Sequence, residues 1–543
     1  MKHFVSYLGA LQSAMFYTSQ EPEYQERPES PILTDLNVIS QYWGQISPYS
    51  DNDDGFFGVQ DLGLPNGCGV EQAHILHRHA ERFPTSSFAD GLNNENFGQK
   101  VLNWTTANTR KRFTGPLAFL NSWKYQMAES YLTGIGAATA FQSGVAHWNR
   151  YGRVLYNATA GQLAYNTSVR PKPVLRTTSQ SRIQNSQINW ALGFFGPSFS
   201  ETAIPSLANA TSAFNVVIIP EGNGDSNNTL ASYDSCPNGN VEPIVDMGDR
   251  NVIEYVAIYL REAVIRLQQY APSGFTFNVN DTYAMQSICA YETGFLGDSD
   301  FCRGLFTSDE WAGFENTLDL ATYYDCSWGN PTGRAQGIGY LQELIARLTN
   351  QYITSSNSSA NSTLDSNPND FPLRRPFYAD FTHDNTIISL LTAMSLDYFK
   401  KPPSLSQFPP DPNGKFIVSH LIPSGARLVT EVVGCAAANP TAVHHKRQVY
   451  YQSQYGYNAS ISTNKFIRMR LNNGILPLSS IRGGACAGRS DGLCEIQRFL
   501  QSQANATALA NYQYACFGNY TVDNPTSGKD YDGTIFAKSI RYT

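Results

Sequence analysis

Nowhere does the chain run for 18 apolar residues, so no membrane-spanning helix is expected. The final "FAKSIRYT" likewise gives no hydrophobic attachment signal. None of the nine cysteines forms a CxxC pair or precedes the histidine spacing of a zinc finger, which removes the common metal-finger and dithiol redox folds. Glycine-rich nucleotide loops, heptad runs and internal repeats are also missing. Charge is sparse, at 15% of 543 residues, and the 38 basic against 45 acidic side chains leave a formal charge of -7. That balance excludes a general polyanion-coating surface and a nucleic-acid partner, while leaving room for one basic pocket.

Apolar residues are plentiful. They make up 41% of the chain, with 31 Tyr, 30 Phe and 7 Trp, enough for a substantial core. The length exceeds the size at which a single core stops growing, so at least two lobes are expected. The cysteines, Cys68, Cys236, Cys289, Cys302, Cys326, Cys435, Cys486, Cys494 and Cys516, are odd in number, so at least one is free or pairs between chains. Sequons begin at Asn103, Asn157, Asn166, Asn209, Asn227, Asn280, Asn357, Asn361, Asn458, Asn505 and Asn519. Eleven sequons beside many cysteines point to N-linked glycans and a secreted, extracellular or cell-wall location. The opening "MKHFVSYLGALQSAMFY" has a basic start and an interrupted apolar patch, so it is either a poor secretory leader or not the true one.

Residues 1–66 read as a leader and a polar surface wrap, and the core begins near Cys68. "VEQAHILHRH" predicts a strand ending at Arg78 and His79, with Pro84 closing off any immediate helix. Further strands are expected at Phe214–Pro220, at "FYADFTHD" with Phe377, Ala379 and Phe381 alternating against Tyr378, Asp380 and Thr382, at 428–434, and in a hairpin over 465–478 turning at Asn472, Asn473 and Gly474. Helical spacing covers 183–195, 251–268 and 337–350. "SSNSSANSTLDSNPNDFP" reads as a mobile or insertable surface loop. These changes of period predict an α/β protein, a mixed sheet flanked by helices, with core segments 67–95, 170–245 and 370–543 and mainly helical insertions at 96–169 and 246–369.

"LHRHAERFPTSS" concentrates Arg78, His79 and Arg82. Guanidinium groups grip phosphate oxygens by charge-assisted hydrogen bonds, and a histidine can attack phosphorus to form a covalent intermediate. A solvated basic loop around a structural histidine would look the same. "FTHDN" adds His383, able to donate to a phosphoryl oxygen, and Asp384, able to protonate a departing alkoxide, but an HD pair alone is equally a loop Asp beside a surface His.

Together the two segments resemble the histidine acid phosphatase family, whose signature RHGxRxP pairs with an HD motif. The resemblance implies a phosphoglycerate-mutase-like α/β fold with a smaller helical, substrate-selecting insertion. It implies His79 as nucleophile, Arg78, Arg82 and His383 as phosphate ligands and Asp384 as proton donor. "VLRTTSQSRIQNSQINWALGFFG" resembles the segment that carries a third phosphate-binding arginine, placing that role on Arg182, with Arg176 a basic neighbour of less certain role. The signature glycine is Ala80 here, tolerable if its φ is negative and damaging if φ must be positive.

"WGQISPY", "GPLAFLN", "CAYETG", "FCRGLFTSDEW" and "GIGYLQELIARLT" are similar to the fungal secreted phosphatase and phytase branch, and the resemblance spans about residues 45–530. It implies disulfides Cys68–Cys435, Cys236–Cys516, Cys289–Cys302 and Cys486–Cys494, leaving Cys326 unpaired. It places Glu292 near a substrate entrance, where a purely structural carboxylate is an equal reading, and brings Thr85 close to phosphate. The implied chemistry is acid-side hydrolysis of phosphomonoesters, phytate plausible among them, through phosphohistidine, with no metal or cofactor because arginines supply the charge stabilisation. Near the signature only Lys100 offers a basic rim, which Arg110, Lys111, Arg112 and Lys124 could supplement. A catalytically silent glycoprotein that binds phosphorylated ligands and a phosphomutase are the alternatives.

Overall fold

Strand β1 (Cys68–Arg78) lies inside an eight-stranded sheet with β2 (Val174–Thr178), β3 (Asn215–Ile219), β4 (Phe377–Thr382), β5 (Arg427–Cys435), β6 (Asn464–Leu471), β7 (Gly474–Ile475) and β8 (Cys494–Glu495). The computed structural model describes residues 30–158, 172–196, 213–222, 227–441, 456–522 and 526–537. The candidate leader and the sequons at Asn166 and Asn209 lie outside them. Strand order is β3-β2-β4-β1-β5-β6-β7, with β8 on β6. The strands from β3 to β1 are mutually parallel, and β5 onward pair antiparallel.

The principal helices are α1 (Leu92–Ala107), α2 (Gly134–His147), α3 (Ser181–Phe195), α4 (Met247–Tyr259), α5 (Arg261–Gln268), α6 (Val279–Leu296), α7 (Ser308–Cys326), α8 (Gly333–Thr349) and α9 (Asp384–Ala393). Helices α4 to α8 lie between β3 and β4 as an inserted, mainly helical subdomain. Residues Ile32–Thr543 pack as one unit, so the helical layer is not a detached lobe. No helix among the described residues is long and apolar enough to cross a membrane.

Every residue of β4 is buried. Its alternation therefore sorts side chains between two covered faces, as befits a parallel interior strand. Phe377, Ala379 and Phe381 join Trp190 and Phe194 of α3 in one apolar cluster. On the other face Asp380 accepts from Arg176 Nε at 2.8 Å, Arg347 Nη1 at 2.6 Å and Tyr340 Oη at 2.9 Å. Helices α2 and α3 touch backbone to backbone, since a Cβ on Gly144 would lie 1.9 Å from the Trp190 carbonyl and one on Gly193 2.1 Å from that of Phe141.

Helix α2, within the 96–169 segment, packs on α3. Three expectations need revision. The N-terminal wrap contributes Ile39, Trp43 and Phe57 to the main core. The helix expected over 251–268 is interrupted at Leu260, whose φ -95° and ψ 0° separate α4 from α5. The polar segment after α8 is docked rather than loose. Ser359, Ala360 and Asp365 are buried, Asn227 Nδ2 donates to the carbonyls of Ser358 and Ala360, and Asp365 faces Arg176. The hairpin at Asn472 to Gly474 forms in the expected register, both asparagines taking positive φ. Cys68–Cys435, Cys236–Cys516, Cys289–Cys302 and Cys486–Cys494 are bonded, and Cys326 is a buried free thiol.

Candidate active site

Because β1 to β4 are parallel, their carboxyl ends open along one edge, where α/β sheets hold their ligands. There β1 delivers Arg78 and then His79, whose N–H bonds the Thr382 carbonyl at 3.0 Å. β4 delivers His383 and then Asp384 as the first residue of α9. β2 turns directly into α3, setting Arg182 in its first turn, and β3 leads to Glu221.

His79 Nδ1 lies 2.9 Å from the carbonyl oxygen of Ala80. A carbonyl only accepts, so Nδ1 carries the proton and Nε2 keeps its lone pair. Burial first, then the charges of Arg78, Arg182 and Arg82, hold the ring well below the usual histidine pKa. The nucleophile candidate is thus neutral and already in the attacking tautomer. Ala80 is fully buried and is not among the residues with positive φ. Its methyl meets no backbone penalty, which answers the question raised by the missing signature glycine.

Arg78, Arg82 and Arg182 each carry a buried Nε with no protein partner. Three cationic donors with no protein partner gathered at one sheet edge fit an anion. Arg78 is anchored by Nη1 to the carbonyls of Gln45 at 2.5 Å and Ile422 at 2.7 Å, and by Nη2 to Asp384 Oδ2 at 2.7 Å. Arg82 Nη2 bonds Asp90 Oδ2 at 2.6 Å, and Thr85 Oγ1 donates to the same oxygen. Burial and the Arg82 charge bring Arg182 down to about 10, still cationic at neutral pH.

His383 stands with its ring centroid 5.9 Å from that of His79. Its Nε2 is 3.0 Å from Glu221 Oε1, Tyr233 Oη is 3.4 Å from the same nitrogen, and Arg182 Nη2 is 3.5 Å from Nδ1. Burial pushes Asp384 up, but Arg78, Arg82 and His383 outweigh it and bring the carboxyl down to about 2. Sequence reading missed Asp90, Glu221 and Tyr233. Glu221 had a signal, an acid just past a buried strand at the sheet's carboxyl edge, whereas Tyr233 had none.

A cavity of 400 Å³ opens on this edge, lined by Arg82, Thr85, Arg182, His383 and Asp384 among others. Glu292 is not in that lining. It is buried in a separate cleft, accepting from Trp123 Nε1 at 2.7 Å and Ser299 Oγ at 2.6 Å, which is the structural role. Arg176 is buried against Asp380, Glu343 and Asp365 and does not line the cavity. The lysines and arginines that could have formed a basic rim are absent from the described lining. Lys100 is paired with Asp281, Lys124 lines the Glu292 cleft, and none of Arg110, Lys111 or Arg112 borders the cavity. Asp246, Asp249 and Asp325 stand there instead.

A family model described as the histidine phosphatase superfamily (branch 2) matches residues 69–472. The chain belongs to this superfamily. Phytase A of Aspergillus oryzae is 32% identical over 409 residues, 73% of this chain and 80% of that protein, and a Phytase A of Aspergillus terreus is 28% identical over 517 residues, 92% and 93% of the two. The crystal structure of the phytase from D. castellii superposes with a TM-score of 0.65 at 22% identity, covering 89% of this chain and 88% of that one, a likeness of fold. This histidine phosphatase is therefore a hydrolase related to the fungal phytases and acid phosphatases.

Proposed function

We propose that this histidine phosphatase is a secreted acid phosphatase that cleaves phosphomonoesters, phytate among them, through a phosphohistidine on His79. The observation that carries the reading is the commitment of His79 Nδ1–H to Ala80 within a ring of three arginines with unpartnered Nε–H groups. Arg78, Arg82, Arg182 and His383 hold the phosphoryl oxygens, and Thr85 acts through Asp90 to orient Arg82.

His79 Nε2 attacks phosphorus, the bond to the alcohol oxygen breaks, and the alkoxide takes a proton from Asp384. Water then attacks phosphorus, Asp384 accepts its proton, the P–N bond breaks, and inorganic phosphate leaves with His79 neutral again. The arginines and His383 keep Asp384 ionised at the working pH, so its proton arrives with the substrate. A monoester whose second ionisation lies near about 6 brings that proton as its monoanion, which sets activity on the acid side of neutrality.

The lining offers further aspartates and no lysine among the described residues, which favours esters with a single phosphate over phytate. The described sequon asparagines, Asn103, Asn157, Asn227, Asn280, Asn357, Asn361, Asn458, Asn505 and Asn519, are all at least partly exposed, which supports glycosylation and secretion. Two measurements test the reading: single-turnover trapping of a base-stable phosphoenzyme with His79→Ala as control, and phosphate release from phytate and an aryl phosphate across pH. Absence of both phosphoenzyme and phosphate release overturns it.

A further inference from the structure

Arg78 owes its position to two peptide carbonyls, Gln45 and Ile422, that come from segments remote in sequence and are not themselves part of the sheet. Both segments are fastened to one helix. Gly44 N–H donates to Glu315 Oε2 at 2.7 Å, and Ser419 N–H donates to Glu315 Oε1 at 2.9 Å. One turn further along α7, Asp319 Oδ1 accepts from Val418 N–H at 2.6 Å. Gly44, at φ +49°, presses so closely on α7 that a Cβ would lie 2.5 Å from the Leu318 Cβ. Ser424 N–H donates to the Ser47 carbonyl at 2.9 Å, tying the two segments to each other.

Both carboxylates are buried, and neither forms an ion pair among the described residues. A buried carboxyl group that faces no cation is costly to keep in a helix interior. Here each oxygen of Glu315 fixes a different loop, and each loop presents a carbonyl to the same guanidinium nitrogen. We infer that Glu315, assisted by Asp319, is a positioning residue that aims Arg78, and through Arg78 the Asp384 carboxyl, by clamping the Gln45 and Ile422 segments onto α7. The inference rests on the phosphatase reading above and adds to it a dependence of phosphate binding on a residue outside the cavity.

A double-mutant cycle tests it. Glu315→Gln keeps the size of the side chain but turns one acceptor into a donor facing an N–H. Relative to wild type it is expected to lower kcat/KM for an aryl phosphate about tenfold and to raise the inhibition constant of inorganic phosphate similarly. In an Arg78→Ala background the same change is expected to cost less than about twofold, because the two act through one contact. Asp319→Asn provides the second variant, with a smaller loss in the same pattern, if Glu315→Gln does not fold. A merely structural role reduces the active fraction, leaves the phosphate inhibition constant untouched and gives equal losses in both backgrounds. Equal losses, or no loss in the wild-type background, overturn the inference. A wild-type chain that releases no phosphate counts instead against the phosphatase reading.

Discussion

Arg78 Nη2 and Asp384 Oδ2 form a 2.7 Å ion pair at the mouth of two adjacent parallel strands. The group proposed to hold phosphate and the group proposed to protonate the leaving alcohol are therefore coupled before substrate arrives. Asp384→Asn removes the proton donor without removing volume. It is expected to lower kcat by about 10²–10⁴ on alkyl phosphates and far less on p-nitrophenyl phosphate, whose leaving group needs no proton. Steady-state rates on the two substrates check this, and an equal loss on both rejects Asp384 as the acid.

Ala80→Gly restores the residue of the family signature but adds only unfolded-state freedom at a position of negative φ. The expected outcome is unchanged kcat/KM and a stability loss of roughly 0.5–1 kcal/mol, read from urea unfolding. A large gain in activity would show that the methyl obstructs His79.

Beneath the site, Asp380 is ionised between Arg176 and Arg347, all three buried. Asp380→Asn leaves two buried cations short of a partner and is expected to cost about 3–5 kcal/mol. Chemical denaturation measures it. Because Asp380 does not line the cavity, activity at temperatures well below unfolding should change much less than stability.

The pH dependence of stability follows from groups of opposite habit. Burial, aided by the Arg347 charge at His74 and the Arg427 charge at His77, holds both rings down at about 3, against 6.5 when unfolded. Between those values the unfolded chain binds the extra protons, so stability rises with pH by roughly 1–2 kcal/mol per pH unit for each ring. Glu315 and Asp365 behave conversely. Burial raises both above their ordinary 4.5 and 3.8, so the native state keeps protons the unfolded chain has lost and stability falls as pH rises past those values. The two trends oppose each other from about 4.5 to 6.5. Thermal unfolding should show a plateau in Tm there and a decline on either side, and a Tm that climbs steadily to pH 8 would contradict these assignments.

The strand ends that carry Arg78, His79, His383 and Asp384 were legible because a buried parallel strand followed by polar residues is a short, local pattern. The hairpin at Asn472 was legible for the same reason, since its turn chemistry is contained in three residues. The role of Glu292 was not legible because a carboxylate on a helix has no sequence mark for depth, and its partner Trp123 comes from a distant segment. The segment after α8 was misread because polarity suggested solvent, while Asn227, far upstream, supplies the hydrogen bonds that hold it down. Whether a basic rim forms was illegible on similar grounds. Charge composition near the signature says nothing of which side chains turn toward the cavity.

The Cys68–Cys435 bond joins residues that face each other across β1 and β5, 367 positions apart in sequence. It closes a covalent ring that contains both His79 and His383. A single proteolytic cut anywhere inside that ring leaves the two histidines on one covalently continuous molecule, and the strand bearing the nucleophile stays pinned in register with its neighbour. A chain nicked once between Cys68 and Cys435 thus stays undivided.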